Sequence, residues 1–209
     1  MLEIVTMTLG PVSTNTYLVA DPESRQAVVI DPAWDGKAIA EKAAQRGWQI
    51  TGIWITHAHF DHMAGAAGLF QNLGSAAPVA LHPADFALYQ KQGGAALFGM
   101  RIEAGPEPSL QLFHGQTLTI GVYPFEVRHT PGHTQGHVIF CSKTESVAFC
   151  GDVIFRGSIG RTDLPGGSFD VLIESIRTQI LTLPDDTTLY SGHGSETKVG
   201  FERAYNPFL

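Results

Sequence analysis

The chain is poor in charge, in cysteine and in long apolar runs, and each shortage narrows what it can be. Charged residues make up 16% of its 209 positions, against 44% hydrophobic ones. That balance is the reverse of a disordered composition and leaves ample apolar side chains for a buried core. The 13 Lys and Arg face 20 Asp and Glu, for a formal net charge of -7, and no two Lys or Arg are adjacent. A nucleic-acid partner requires a basic stripe, so none is expected. No stretch approaches the roughly 18 uninterrupted apolar residues of a membrane span. The N-terminus, MLEIVTMTLGPVSTN, carries Glu3 and has neither a basic lead nor an apolar run long enough for a secretion signal. The expectation is a cytoplasmic protein without a membrane partner. Cys141 and Cys150 suit a reducing compartment. The SKTESVAF between them reads as a hairpin, which brings the two thiols near each other, but buried free thiols are the favoured reading.

What is present is a series of short strands and helices without a long linker, of a length that suits one domain over residues 1–209. TYLVA (16–20) and AVVID (27–31) read as strands, the second ended by Asp31-Pro32. Residues 36–46 place Ile39, Ala40, Ala43 and Ala44 on one helical face, and Gly47 stops the helix. GIWIT (52–56) is a strand that delivers the chain into HAHFDH; residues 63–73 follow as a helix, and VALHP (79–83) as a strand. Residues 84–110 mix helix with a Gly/Pro-rich loop and suit a lid or insertion. LTI, FEVRHT, HVIFCS, SVAFCGD and TLYSGHG are strands of the second half, and FDVLIESIRTQIL is its amphipathic helix. Each half runs strands, then a ligand-rich loop, then a helix, which predicts two packed sheets with helices outside, with a suggestion of pseudo-duplication.

Three histidines and an aspartate crowd into six consecutive positions, His57 to His62. His57 and His59, two apart at a strand end, point the same way, and Asp61 and His62 follow as the chain turns into a helix. Four such side chains cannot all bind one tetrahedral ion and leave a catalytic position open, so two ions are the economical reading. Further ligands are expected from HTPGHTQGH (129–137), FCGDVIF (149–155) and YSGHGSE (190–196), where glycine lets backbone approach a crowded site. Spacing alone does not decide among His129, His133 and His137. His82 and His114 have no motif around them. Asp31 is suited either to orienting a ligand histidine or to capping its turn.

The series T-H-x-H-x-D-H, P-G-H-T, G-D and G-H-G resembles the metallo-β-lactamase fold superfamily along the whole chain. That resemblance implies an α/β fold, a four-layer αβ/βα sandwich, with a dinuclear site at one edge. It implies that His57, His59 and His133 hold one ion, that Asp61, His62 and His193 hold the other, and that Asp152 bridges them. His137 is left to a supporting role. Two divalent ions per chain are expected, zinc first, with iron or manganese as alternatives.

Gly151-Asp152, the GDVIFRGSIGRTDLPGG stretch and the VGFERAYNPFL tail are similar to short bacterial members of the glyoxalase II group, the hydroxyacylglutathione hydrolases. The implied reaction is hydrolysis of S-D-lactoylglutathione to D-lactate and glutathione. A water held between two cations ionises near neutral pH and attacks the thioester carbonyl, with Asp61 orienting it. The thiol, with a pKa of about 8.5, leaves without an acid catalyst. Arg161 stands at the group's basic substrate-contact position, with a loop ion pair as its alternative role. Asp163 stands where the group has a tyrosine. The longer enzymes' C-terminal helical glutathione-binding domain is not expected here, and antibiotic hydrolysis is disfavoured. Rival readings are a persulfide dioxygenase with one iron on His57, His133 and Asp152, against which Phe60 speaks weakly, and a lactonase or other ester hydrolase.

Overall fold

Strands that are apolar at nearly every position need cover on both faces, and that requirement dictates the layering. The computed structural model describes residues 1–73, 77–103 and 105–209. Its first sheet runs β1 (Glu3–Leu9), β2 (Thr14–Ala20), β3 (Gln26–Ile30), β4 (Gln49–Trp54), β5 (Val79–Leu81) and β6 (Leu110–Gln111) in spatial order. β1 to β3 pair antiparallel and β3 to β6 parallel. The second half supplies β7 (Thr117–Ile120), β8 (Tyr123–His129), β9 (Val138–Ser142) and β10 (Val147–Gly151). A small ribbon of β11 (Ile154–Phe155) and β12 (Ser158–Ile159) follows, then β13 (Thr188–Ser191) and β14 (Thr197–Lys198). Without the ribbon these form a second sheet in the order β14-β13-β10-β9-β8-β7.

Alternation along each strand sorts side chains between layers. Tyr17 and Val19 of β2, Val28 and Ile30 of β3, Val138 and Phe140 of β9, and Val147 and Phe149 of β10 meet between the sheets. The intervening Leu18, Ala20, Ala27 and Val29 face outward and are covered by α1 (Gly36–Gln45), α2 (Phe60–Met63) and α3 (Ala66–Asn72) through Ile39, Met63 and Leu69. A short helix, α4 (Phe86–Gln90), comes next. Ile139, Cys141, Ala148 and Cys150 face the other way, under Leu172 and Ile173 of α5 (Phe169–Ser175), which continues as a π turn to Ile180, and Val199 of α6 (Val199–Tyr205). This is the expected αβ/βα sandwich. Both cysteines are buried free thiols, and Cys141 faces Ala148 rather than Cys150 across the hairpin.

Three elements of the first half differ from the sequence reading. β1 was not read as a strand, although Val5, Met7 and Leu9 alternate toward the helix-covered core. The helix over 63–73 breaks at Ala64–Gly65, because the Gly65 amide donates to the Pro32 carbonyl (2.8 Å) and the backbones touch there. Within 84–110, α4 is followed by a 3₁₀ run over Gln92–Phe98 that packs on α2, with the Phe60 and Phe98 rings 5.3 Å apart; Ala104 lies outside the described residues. Among the described residues no helix is long and apolar enough to cross a membrane.

Candidate metal centre

The candidate ligands gather where strands stop. β4 ends at Trp54, so His57 and His59 sit on extended loop beyond the strand rather than on it, with rings 4.9 Å apart. The chain then turns into α2, which carries Asp61 and His62. His133 comes from the loop joining β8 to β9, Asp152 from the end of β10 and His193 from the end of β13. Gly192 is required at that last turn: a Cβ there would fall on Asp152 Oδ1 and the His62 ring.

All seven side chains selected from the sequence converge. His59 Nδ1 lies 2.8 Å from His133 Nε2, and His133 Nε2 lies 3.7 Å from Asp152 Oδ2. His62 Nε2 is 3.3 Å from Asp152 Oδ1 and 3.5 Å from Asp61 Oδ2. His193 Nε2 is 3.2 Å from Asp61 Oδ2 and 3.5 Å from Asp152 Oδ2. Ligand atoms within 4.8 Å of one another define three overlapping groups: His57, His59 and His133; His57, His62 and Asp152; Asp61, His62 and His193. His193 is the most exposed of the seven, its side chain 30% accessible.

Hydrogen bonds on the far side of the rings fix which nitrogen faces inward. The Thr56 hydroxyl donates to Asp31 Oδ2 (2.7 Å), so at 3.0 Å from it His57 Nδ1 is the donor and Nε2 keeps its lone pair. His62 Nδ1 donates to Asp31 Oδ2 (2.9 Å), and His133 Nδ1 donates to the Arg161 carbonyl (2.7 Å). Asp31 therefore both ends its strand, at a φ of 50°, and orients a candidate ligand. Among the described residues, His57 Nε2, His62 Nε2 and Asp152 Oδ1 are buried without a hydrogen-bond partner. Inward lone pairs left unpaired at this depth fit divalent cations, which need deprotonated imidazole and carboxylate donors.

Asp61 and Asp152 supply negative charge for such ions; against burial, the same carboxylates raise His62 well above the ordinary histidine range and His193 to about 10, so ions binding there would displace protons. Burial pushes the His57 imidazole well below the ordinary histidine range and takes His59 down to about 3, favouring neutral donors. Burial disfavours charge on Asp61 too, but His62 and the His193 hydrogen bond outweigh it and hold the carboxyl at about 2.

The sequence profile of the Metallo-beta-lactamase superfamily matches residues 9–193, which span every one of these ligand positions. The chain belongs to the metallo-beta-lactamase superfamily. Among metallo-beta-lactamase relatives, it is 35% identical to the hydroxyacylglutathione hydrolase GloC of Haemophilus influenzae, over 93% of this chain and 92% of that one. Two solved structures of the fold are similar over nearly their whole length. A di-iron-bound form of TTHA1623 is 39% identical with a TM-score of 0.89, over 98% of this chain and 100% of that one. BLEG-1 B3 metallo-beta-lactamase is 37% identical with a TM-score of 0.91, over 100% and 99%.

Two residues hold this metallo-beta-lactamase site from behind. His137, expected in a supporting role, accepts from the Asp152 amide through Nε2 (3.1 Å) and contacts Thr130 through Nδ1 (2.9 Å). Asp85 was missed: its buried carboxylate accepts from the Ala58 amide (2.9 Å), the Thr134 hydroxyl (2.8 Å) and the Gly136 amide (2.7 Å), tying the two ligand loops together. Its partners lie 27 to 51 residues away, so no local motif announces it. His129 stands apart, its ring stacked on His82 at 4.2 Å. The Arg161 guanidinium, on the exposed loop, forms two 2.7 Å hydrogen bonds with Asp163.

Proposed function

We propose that the chain is a two-metal thioester hydrolase acting on S-D-lactoylglutathione. The observation that carries this reading is the convergence of seven donors around three unpartnered buried atoms, His57 Nε2, His62 Nε2 and Asp152 Oδ1. The likeness to GloC points to the substrate. His57, His59 and His133 would hold one cation, Asp61, His62 and His193 the other, with Asp152 shared between them. When bound, such cations bring the pKa of water down to about 7 and polarise the scissile carbonyl.

The chain's own groups do the rest. Asp31, Thr56 and the Arg161 carbonyl hold the far nitrogens of three ligand rings in the donating tautomer. Asp61, anchored through Oδ2 by the Thr14 hydroxyl at 2.8 Å, would accept a hydrogen bond from the attacking water and aim it at the thioester carbon. The thiol leaves as thiolate, since its pKa of about 8.5 calls for no general acid. Arg161 reaches a substrate carboxylate only by exchanging its Asp163 partner.

Similarity to BLEG-1 favours a second reading, β-lactam hydrolysis, on the same donors. A panel separates the alternatives: S-D-lactoylglutathione, a chromogenic β-lactam, a lactone, and glutathione persulfide with oxygen uptake recorded. The thioester is expected to give the highest kcat/KM, without oxygen dependence. A higher value for the β-lactam or lactone, or oxygen consumption with the persulfide, overturns the assignment.

A further inference from the structure

Asp85 is 1% exposed, yet it belongs to none of the three candidate ligand groups and has no part in the proposed chemistry. A buried carboxylate persists only where donors satisfy it, so its partners indicate its use. It closes the 3₁₀ turn Pro83–Asp85, which follows β5. Its Oδ2 takes the Ala58 amide and the Thr134 hydroxyl, and its Oδ1 takes the Gly136 amide.

These donors stand in a specific relation to the candidate ligands. Ala58 separates His57 from His59, and Thr134 follows His133. One carboxylate oxygen therefore fixes the separation of the two loops that carry the whole of one candidate group, His57, His59 and His133. Packing leaves those loops no slack. A Cβ on Gly136 would fall on Asp85, and one on Gly93 would fall on the Phe60 amide and the Ala58 carbonyl, so both loops lie flush on the segment that Asp85 begins. The other group, Asp61, His62 and His193, has separate supports. The Thr14 hydroxyl holds Asp61, Asp31 holds His62, and the Thr14 backbone bridges to His193. Among the described residues Asp85 accepts from none of those three.

We propose that Asp85 is a positioning residue for one of the two ions: it sets the distance from the His57–His59 loop to His133, and with it the affinity of that site alone. The inference rests on the two-metal reading above. A site holds its ion tightly when its donors are fixed beforehand, and loss of a residue behind the ligands costs about 10- to 100-fold in metal affinity.

The test titrates zinc into the metal-free chain and follows the ring nitrogens of isotope-labelled histidines by NMR. His57, His59 and His133 are thereby read apart from His62 and His193. Asp85→Asn puts an amide NH₂ against the Ala58 or the Gly136 donor. It is expected to weaken zinc about 10- to 100-fold at the first three rings, with His62 and His193 titrating as in the unmodified chain. Thr14→Val removes the hydroxyl from Asp61, and its loss is expected at His62 and His193 instead. Thr134→Val takes one donor from Asp85 and leaves both amides in place, so it carries the test if Asp85→Asn does not fold. About a tenfold loss confined to the same three rings is expected there. A general loss of folding stability would lower both sets of rings together.

Two bound ions weakened alike at both sets, or weakened at neither, overturn the role of Asp85 and leave the two-metal reading. One ion on His57, His59 and His133 that Asp85→Asn weakens refutes the two-metal reading and leaves Asp85 its role. No zinc bound by the unmodified chain overturns both.

Discussion

Asp31 takes the Thr56 amide and hydroxyl, each at 2.7 Å, and His62 Nδ1 at 2.9 Å, and so sets the orientation of two ligand rings at once. Asp31→Asn puts an amide NH₂ against at least one of those donors. Metal affinity and thioester turnover are expected to fall about 10- to 100-fold, read as metal per chain after dialysis and as initial rate. His82 gives a separate pH signature. Burial and then its stacked neighbour His129 hold its imidazole at about 4. The unfolded chain protonates near 6.5, so it binds more protons than the folded one between those values. Stability is therefore lost as pH falls from about 6.5 to 4, and His82→Asn, which keeps an acceptor for the Ala84 amide, is expected to lessen that loss in urea midpoints at pH 7 and pH 5. At this scale the candidate ligands were legible because their motifs are local. For Asp31, two roles were open in the sequence and the fold gives it both, while Asp85 was invisible because it acts only across distant loops.

The elements show where periodicity informs and where packing takes over. Strands β2, β3, β9 and β10 were legible as continuous apolar runs, and α1 as a face of Ile39 and Ala43 ending at Gly47. The helix break at Gly65 was not, since it is caused by a backbone contact with Pro32, 33 residues earlier. α6 was also missed, because its anchor is a buried carboxylate rather than a long apolar stripe. Glu202→Ala strands the Gly157 amide, the Thr197 hydroxyl and the Asn206 amide. A stability loss of about 3 kcal/mol is expected in urea unfolding, with Glu202→Gln milder because its carbonyl still accepts.

Across the whole molecule the candidate centre joins the two halves. The first half supplies His57, His59, Asp61 and His62, and the second supplies His133, Asp152 and His193. Thr14 bridges to His193, and the Asn15 side chain donates to the Ser191 and Gly194 carbonyls, at the same seam. Ions bound there would crosslink both sheets in the folded state alone. Chelation is expected to lower the thermal midpoint and metal at 1,000 times its Kd to restore about 4 kcal/mol of stability. In the proposed reaction the residues around Asp152 would hold two ions and the chain would hydrolyse the thioester. Elemental analysis and S-D-lactoylglutathione turnover on one sample, for the unmodified chain and Asp152→Ala, test it most directly. Two ions per chain with turnover, and loss of metal together with most activity in the variant, are predicted; full turnover with two ions retained in Asp152→Ala contradicts the account.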